Sequence, residues 1–356
     1  MNKNGVSTLK VAGAYIGTVV GAGFATGQEI LQFFTRFGLM GLAGLVIATV
    51  MFIMFGYIIM DLGNKLRANS HYEIIKYAGG RKLGTIIDII ITFFLFGSFT
   101  AMIAGTGALV WQQFKLPIFF GNLFMAVITA FTVLTGIKGI INIISMVVPF
   151  LLVAVVSVSI YSILTSTTGF TSSVILSESS LLSNWLIASV LYVSYNIITS
   201  IAVLGPLGFQ AQDKKIIIRG AVLGGFGLGL GAVMINLALS SNLSEMANIE
   251  VPMLKIAGKM SDKIQTVYAV VLIAEIYTTA VGSLYGFVSR FSDIKNNKIT
   301  SRLMVAFTSA AALLASQFGF SNLVKYLYPI VGYCGVVLLI CLFFSKIFKN
   351  WLLSSR

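Results

Sequence analysis

The sequence predicts an all-α integral membrane fold: ten transmembrane helices, five plus five in an inverted repeat, with helices 1 and 6 broken. Three observations predict it. First, 57% of the 356 residues are hydrophobic and only 10% are charged, with a mean hydropathy of +0.96. A soluble domain carries about a quarter charged residues. Second, the apolar runs reach about twenty residues, the length a helix needs to cross a bilayer. A barrel would instead alternate polar and apolar over roughly ten. Third, a Ser/Thr-rich connection divides the spans into two odd sets, so the second set enters from the opposite side.

The spans fall at about 8–36, 40–63, 84–112, 117–136, 140–164, 184–208, 217–241, 264–289, 302–318 and 322–347. The chain reads as a single transmembrane domain over 1–356. It comprises a first five-helix repeat (1–164), a connecting loop (165–183), a second repeat (184–348) and a tail (349–356). The N-terminus, "MNKNGVSTLK", leads into a span too long for a signal-peptide core and reads as a retained first span. A second long connection, 242–263, is partly amphipathic and predicts a short helix.

With ten spans both termini share one side. Placing them in the cytoplasm puts eighteen basic residues inside, among them Lys3, Lys65, Arg67, Lys138, Lys214, Arg290, Lys295 and Arg356. Six remain outside: Arg36, Lys115, Lys255, Lys259, Lys263 and Lys325. That asymmetry favours N-in and C-in across the cell membrane. It also accounts for the net charge of +13 without a nucleic-acid partner. Cys334 and Cys341 stand seven residues apart in one apolar run. On one helix they would be about 10 Å apart, too far for a disulfide.

The first span contains "YIGTVVGAGFATGQEILQFF", with Gly17, Gly21, Gly23 and Gly27 followed by Gln28 and Glu29. Glycine weakens a helix, and a carboxylate in hydrocarbon is costly. An unwound segment here would free backbone donors and acceptors for a bound solute. Tight packing is the competing explanation, since Gly13, Gly17 and Gly21 make a small-xxx-small pattern. Span 6, the first span's counterpart, carries Ser194, Tyr195 and Asn196 at mid-membrane, then Thr199, Ser200 and Gly205-Pro206. Matching interruptions in corresponding helices point to a binding site. Span 7 has more glycine still, in "GAVLGGFGLGLGAV", but no polar partner, and predicts packing.

Glu275 lies mid-span in "VVLIAEIYTTAVGSLYGF", with Thr278, Thr279, Gly282 and Ser283 on the same helical face. That face suits a hard cation or a proton, or a hydrogen-bond network between helices. Glu29 suits an outer vestibule, a proton carrier or a cap on the half-helix beyond the break. Enzyme chemistry finds no support. The single histidine, His71, reads "HYEII" and not H-E-x-x-H, and neither a Walker motif nor a soluble domain is present.

The pattern resembles the LeuT-type fold of the amino-acid–polyamine–organocation superfamily over essentially the whole chain. More narrowly, "VGAGFATGQEI" resembles the YkvI-like family of amino-acid permeases. The resemblance implies a sodium ion held by carbonyls of Gly17, Val20 and Glu275 and by the hydroxyls of Thr278 and Thr279. It implies a substrate carboxylate on the amides of Gly21, Ala22 and Gly23. Phe24 stands where some relatives carry an Asn, which speaks against a second sodium site. Span 5 lacks the central lysine that replaces sodium in others, which leaves sodium or a proton on Glu275.

The expected function is secondary active transport of a small solute, an amino acid or similar zwitterion, by alternating access. Its substrate contacts would be Gly21, Ala22, Gly23, Ser194, Tyr195 and Asn196. Its coupling residues would be Gly17, Val20, Glu275, Thr278, Thr279 and Glu29. No cofactor is expected beyond a coupling sodium ion or proton. Gly105-Thr106-Gly107 of span 3 is a candidate for the facing wall, with ordinary packing as the alternative. Tyr192 and Tyr195 fit either a gate or aromatic core. The alternative function is a transporter-like receptor subunit that binds an amino acid without moving it. An ion channel fits less well, since no charged ring or filter-like loop is present.

Overall fold

The computed structural model describes residues 6–68, 71–135, 140–165, 181–211, 213–246, 249–291 and 298–354. Side chains are described for these except 135, 140–149, 298 and 346–354. Most of the predicted Ser/Thr-rich connection, 166–180, lies outside the described residues, as do Lys3, Lys138, Lys295 and Arg356.

All regular structure among the described residues is helical. The first span is three pieces, α1 (Thr8–Val19), α2 (Ala22–Thr26) and α3 (Gln28–Phe33). Then follow α4 (Leu39–Leu66), α5 (His71–Phe114), α6 (Ile118–Thr135), α7 (Ile140–Thr165), α8 (Trp185–Ala211) and α9 (Lys214–Ser240). The predicted helix of the second long connection is present as α10 (Leu243–Met246) and α11 (Pro252–Met260). The chain closes with α12 (Asp262–Val288), α13 (Lys298–Ala315) and α14 (Phe320–Ser354). Seven of these are long and apolar enough to cross a membrane, and the described parts of α6 and α7 are shorter apolar helices.

Local chemistry sets the ends. Ser7, Asp213 and Ser261 cap α1, α9 and α12 by accepting the amides of Lys10, Lys215 and Ile264. Each such cap satisfies one of the four orphan donors of a first turn. α5 is two helices joined at Gly80, whose φ of 79° only glycine adopts freely. The long span therefore begins after residue 80, and a short helix precedes it.

Between helices in lipid no hydrophobic force favours association, so close packing must supply it. Glycine supplies it where backbones touch. A Cβ on Gly63 would strike the backbone of Gly205, and one on Gly208 would strike that of Met60, which fixes α4 against α8. The span 7 glycines work the same way. Gly220 and Gly224 seat Val11 and Tyr15 of α1, and Gly225 seats the Ile53 backbone of α4. Tyr15 then donates its hydroxyl to the Phe52 carbonyl at 2.7 Å. Cys334 and Cys341 are free thiols.

Two of the first span's glycines behave differently. A Cβ on Gly13 would meet nothing within 4 Å, and one on Gly21 would meet only the Thr279 hydroxyl, at 3.9 Å. Packing does not explain these two positions. Gly208→Ala is therefore expected to cost about 1–3 kcal/mol through overpacking, while Gly13→Ala leaves stability unchanged or slightly higher. Thermal unfolding of the two variants in one detergent checks the contrast.

Candidate functional site

The first span breaks at Val20 and Gly21. Val20 still donates to the Ile16 carbonyl at 2.8 Å, and helical bonding resumes with Ala25 donating to Gly21 at 3.0 Å. Between them Gly21 is extended, with φ −122° and ψ −170°. Among the described residues, no backbone bond outside the helices reaches the carbonyls of Gly17 to Val20 or the amides of Gly21 to Phe24. Unsatisfied groups at this depth cost several kcal/mol each unless protein, water or a ligand meets them. A second kink, at Gly27 with φ 81°, separates α2 from α3.

The break opens on a cavity of about 360 Å³. Its walls come from α1 to α3, α5, α8, α12 and α14. From the break the lining continues through Thr199 and Val203 of α8 and Gly282 and Ser283 of α12. It thus runs towards the end of the bundle where α1 begins and α8 and α12 finish. The opposite end is filled by fully buried Phe33, Phe34 and Tyr192, with the Phe34 and Tyr192 rings edge-on at 4.9 Å.

A latch lies beyond that plug. Gln112 of α5 exchanges two hydrogen bonds with the Val251 backbone, at 2.9 and 3.3 Å. Glu250 accepts the Ser321 amide at 3.1 Å, and Gln28 donates to the Ser321 hydroxyl at 2.6 Å. Burial pushes the Glu250 carboxyl above its usual range, and the amides of Ser321 and Phe320 partly offset this. At the cavity's own end, Asp88 of α5 pairs with His71 at 3.2 Å and with Arg290 just past α12.

Eleven of the twelve sequence-predicted site residues line this one cavity: Gly17, Val20, Gly21, Ala22, Gly23, Glu29, Tyr195, Asn196, Glu275, Thr278 and Thr279. Ser194 does not. Its hydroxyl faces α14 and donates to the Gly332 carbonyl at 2.7 Å. The predicted break in span 6 is also corrected, because α8 is continuous from Trp185 to Ala211. Three of its polar side chains bond back into the helix and so do not compete with it. Asn196 donates to the Tyr192 carbonyl, and Thr199 and Ser200 both donate to that of Asn196. Pro206 sits near the end of α8 without dividing it.

Gly105-Thr106-Gly107 does not form the facing wall. Gly105 packs on Phe320, Gly107 on Asn122 and Ile118, and Thr106 bonds the Met102 carbonyl. The α5 wall is Phe94, Leu95, Ser98 and Met102, and Tyr328 of α14 completes the lining. Sequence offered no signal for Phe94 or Tyr328, two aromatics among forty-three. Of the two tyrosines, Tyr192 belongs to the plug and Tyr195 to the cavity.

Two acids face the cavity in different states. Glu29 is 4% exposed and accepts the Tyr195 hydroxyl at 2.5 Å. Its carboxyl lies where a Cβ on Gly23 would be, so a side chain at position 23 would have to displace it. Glu275 is 3% exposed, and its Oε2 is buried without a hydrogen-bond partner. Beside it Thr278 donates to the Glu275 carbonyl at 2.9 Å, which leaves the hydroxyl's lone pairs available. Among the described residues no cluster of His, Cys, Asp and Glu suits a transition metal.

No protein-family model matches the chain. It is similar to two solved transporters. MhsT in complex with L-phenylalanine superposes with a TM-score of 0.64 at 14% identity, covering 97% of this chain and 90% of that one. A Na+-coupled sialic acid symporter gives 0.63 at 13%, covering 88% and 75%. The molecule is thus a membrane protein of the LeuT-type transporter fold, and its neighbours are transporters and not enzymes. Over 94% of its length the chain is 31% identical to YyaD of Bacillus subtilis, covering 96% of that protein. Over 97% it is 29% identical to the membrane protein YkvI of the same organism, covering 98% of it. It belongs to the family of YkvI and YyaD.

Tyr195→Phe removes the one hydroxyl on the Glu29 carboxylate. The variant is expected to lose about 1–3 kcal/mol, the cost of leaving a buried acceptor unpaired. Thermal unfolding with and without Glu29→Gln checks the coupling: the loss should shrink when Glu29→Gln is already present.

Proposed function

We propose that this protein is a secondary active transporter that moves an amino acid, or a solute of similar size and polarity, by alternating access. One observation carries the reading. A Val20 carbonyl and a Gly21 amide without backbone partners among the described residues, a buried acid with a free oxygen at Glu275, and polar α8 residues face one cavity inside the bundle. A buried, partly polar cavity of a few hundred cubic ångströms fits a small organic solute. Its position at a break in a membrane helix is where such folds bind cargo.

In this reading ten spans form a five-plus-five inverted repeat, with both termini cytoplasmic and the protein in the cell membrane. The chain reads as one domain, a first repeat over 1–164 and a second over 184–348. Substrate contacts come from Gly21, Ala22, Gly23, Tyr195 and Asn196. Carbonyls of Gly17, Val20 and Glu275 with the hydroxyls of Thr278 and Thr279 supply oxygen for a sodium ion. Otherwise Glu275 carries a proton. Solved neighbours include a Na+-coupled sialic acid symporter, which supports ion coupling as a mode open to this fold. The cavity lining runs towards the cytoplasmic end, and the Phe33–Phe34–Tyr192 plug with the Glu250 latch closes the outer end. This corresponds to an inward-facing arrangement.

Counterflow in proteoliposomes tests the function. Preloaded substrate should drive uptake of labelled substrate, faster with a sodium or proton gradient. A bound solute that never exchanges would assign the protein instead to the transporter-like receptors. Thr279→Ala should lower sodium-dependent thermal stabilisation several-fold. Unchanged sodium dependence would remove the proposed ion site.

A further inference from the structure

Among the described residues the fully buried charged side chains are all of one sign. Among the described residues the buried ionisable acids and bases are Glu29, Asp61 and Glu275. Asp61 is neutralised by Lys65 at 3.1 Å. Glu29 and Glu275 form no ion pair among the described residues, and no Lys, Arg or His among them lines the cavity they share. A buried carboxylate needs a positive partner or a proton. A zwitterionic cargo would bring a third carboxylate into this space.

The two acids are set in different surroundings. Glu275 stands with two threonine hydroxyls, an all-oxygen corner suited to a small hard cation. Glu29 stands with Phe94 of α5, Tyr195 of α8 and Tyr328 of α14. The Tyr195 and Tyr328 rings are 5.0 Å apart, Phe94 and Tyr328 5.5 Å, and Phe94 and Tyr195 6.1 Å. Three helices thus contribute one aromatic wall. Such faces attract an organic ammonium through the ring quadrupole, more so where water is excluded. The Glu29 carboxyl itself lies against Gly23. The protein therefore supplies its own anion at the turn where a cargo carboxylate was expected.

We propose that the cargo is an organic ammonium ion without a carboxylate of its own, its ammonium received by Glu29 and its body lying on the wall of Phe94, Tyr195 and Tyr328. The inference rests on reading this cavity as the cargo site. Tyr195 positions the acid by holding one of its oxygens, and Glu275 is left for the coupling cation.

Matched pairs that differ only in the carboxylate test it: ethylamine against alanine, isoamylamine against leucine, and phenethylamine against phenylalanine, with propionate as the anion alone. Binding to the purified full chain in sodium chloride is read by thermal shift and calorimetry. At least one amine should bind about tenfold or more tighter than its amino acid, a difference of about 1.4 kcal/mol. Propionate should not bind. Glu29→Gln should weaken the amine about tenfold, and Tyr328→Leu should weaken it several-fold. The wild-type pairs decide the matter even if a variant fails to fold. An amino acid that binds as tightly as its amine in every pair, or the failure of every amine to bind, overturns the proposal. Counterflow separates the two readings. An amine that binds tightly but does not exchange keeps the ammonium site and defeats transport. An amino acid that exchanges and outbinds its amine keeps transport and defeats the ammonium site.

Discussion

Backbone amides and carbonyls cannot go unpaired in hydrocarbon, and this constraint governs the whole molecule. It makes every described segment of regular structure a helix. It also makes the interruption at Val20–Gly21 informative, since the chain gives up helical bonds there within a bundle of other helices and not in lipid. The freed groups face a cavity. The same constraint explains why α8 does not break. Asn196, Thr199 and Ser200 spend their hydrogen bonds on carbonyls one turn back. A polar side chain in a span can therefore either invite a ligand or serve its own helix, and residue type alone does not tell which.

Glycine shows the same division. Gly63, Gly208, Gly224 and Gly225 are glycines because another helix occupies the space a side chain would take. Those contacts hold α4 against α8 and α9, and α9 against α1, and so frame the cavity. Gly282 faces open space and Gly21 meets only the Thr279 hydroxyl, since the cavity lies on their side. Gly23 is a third case, occupied by the protein's own Glu29 carboxyl. One residue type thus serves as packing surface, cavity wall and seat for an acid.

The bundle is closed at one end and lined by cavity towards the other. Aromatic packing of Phe33, Phe34 and Tyr192 fills the closed end, and the backbone contacts of Gln112 and Glu250 fasten the 249–260 segment over it. Each contact is a modest hydrogen bond, worth about 1 kcal/mol net. A latch built from a few such bonds can be released by a change of a few kcal/mol.

Much of this was open to reading from the sequence alone. Composition and run length require membrane helices, because the length of an apolar run is set by bilayer thickness. The YkvI-like resemblance comes from the glycine motif of the first span. Eleven of the twelve expected site residues line one cavity, five of them glycines and acids, which are costly in a span and rarely placed there without cause. What tertiary structure decided was direction and company. Ser194 turns to Gly332 and its neighbour Tyr195 turns to Glu29, although both are polar residues of one helix. Phe94 and Tyr328 are ordinary span aromatics until α5 and α14 bring them beside Tyr195. Periodicity says which residues share a face of one helix. Which face meets the cavity depends on how all the helices pack, and that is a property of the assembled bundle.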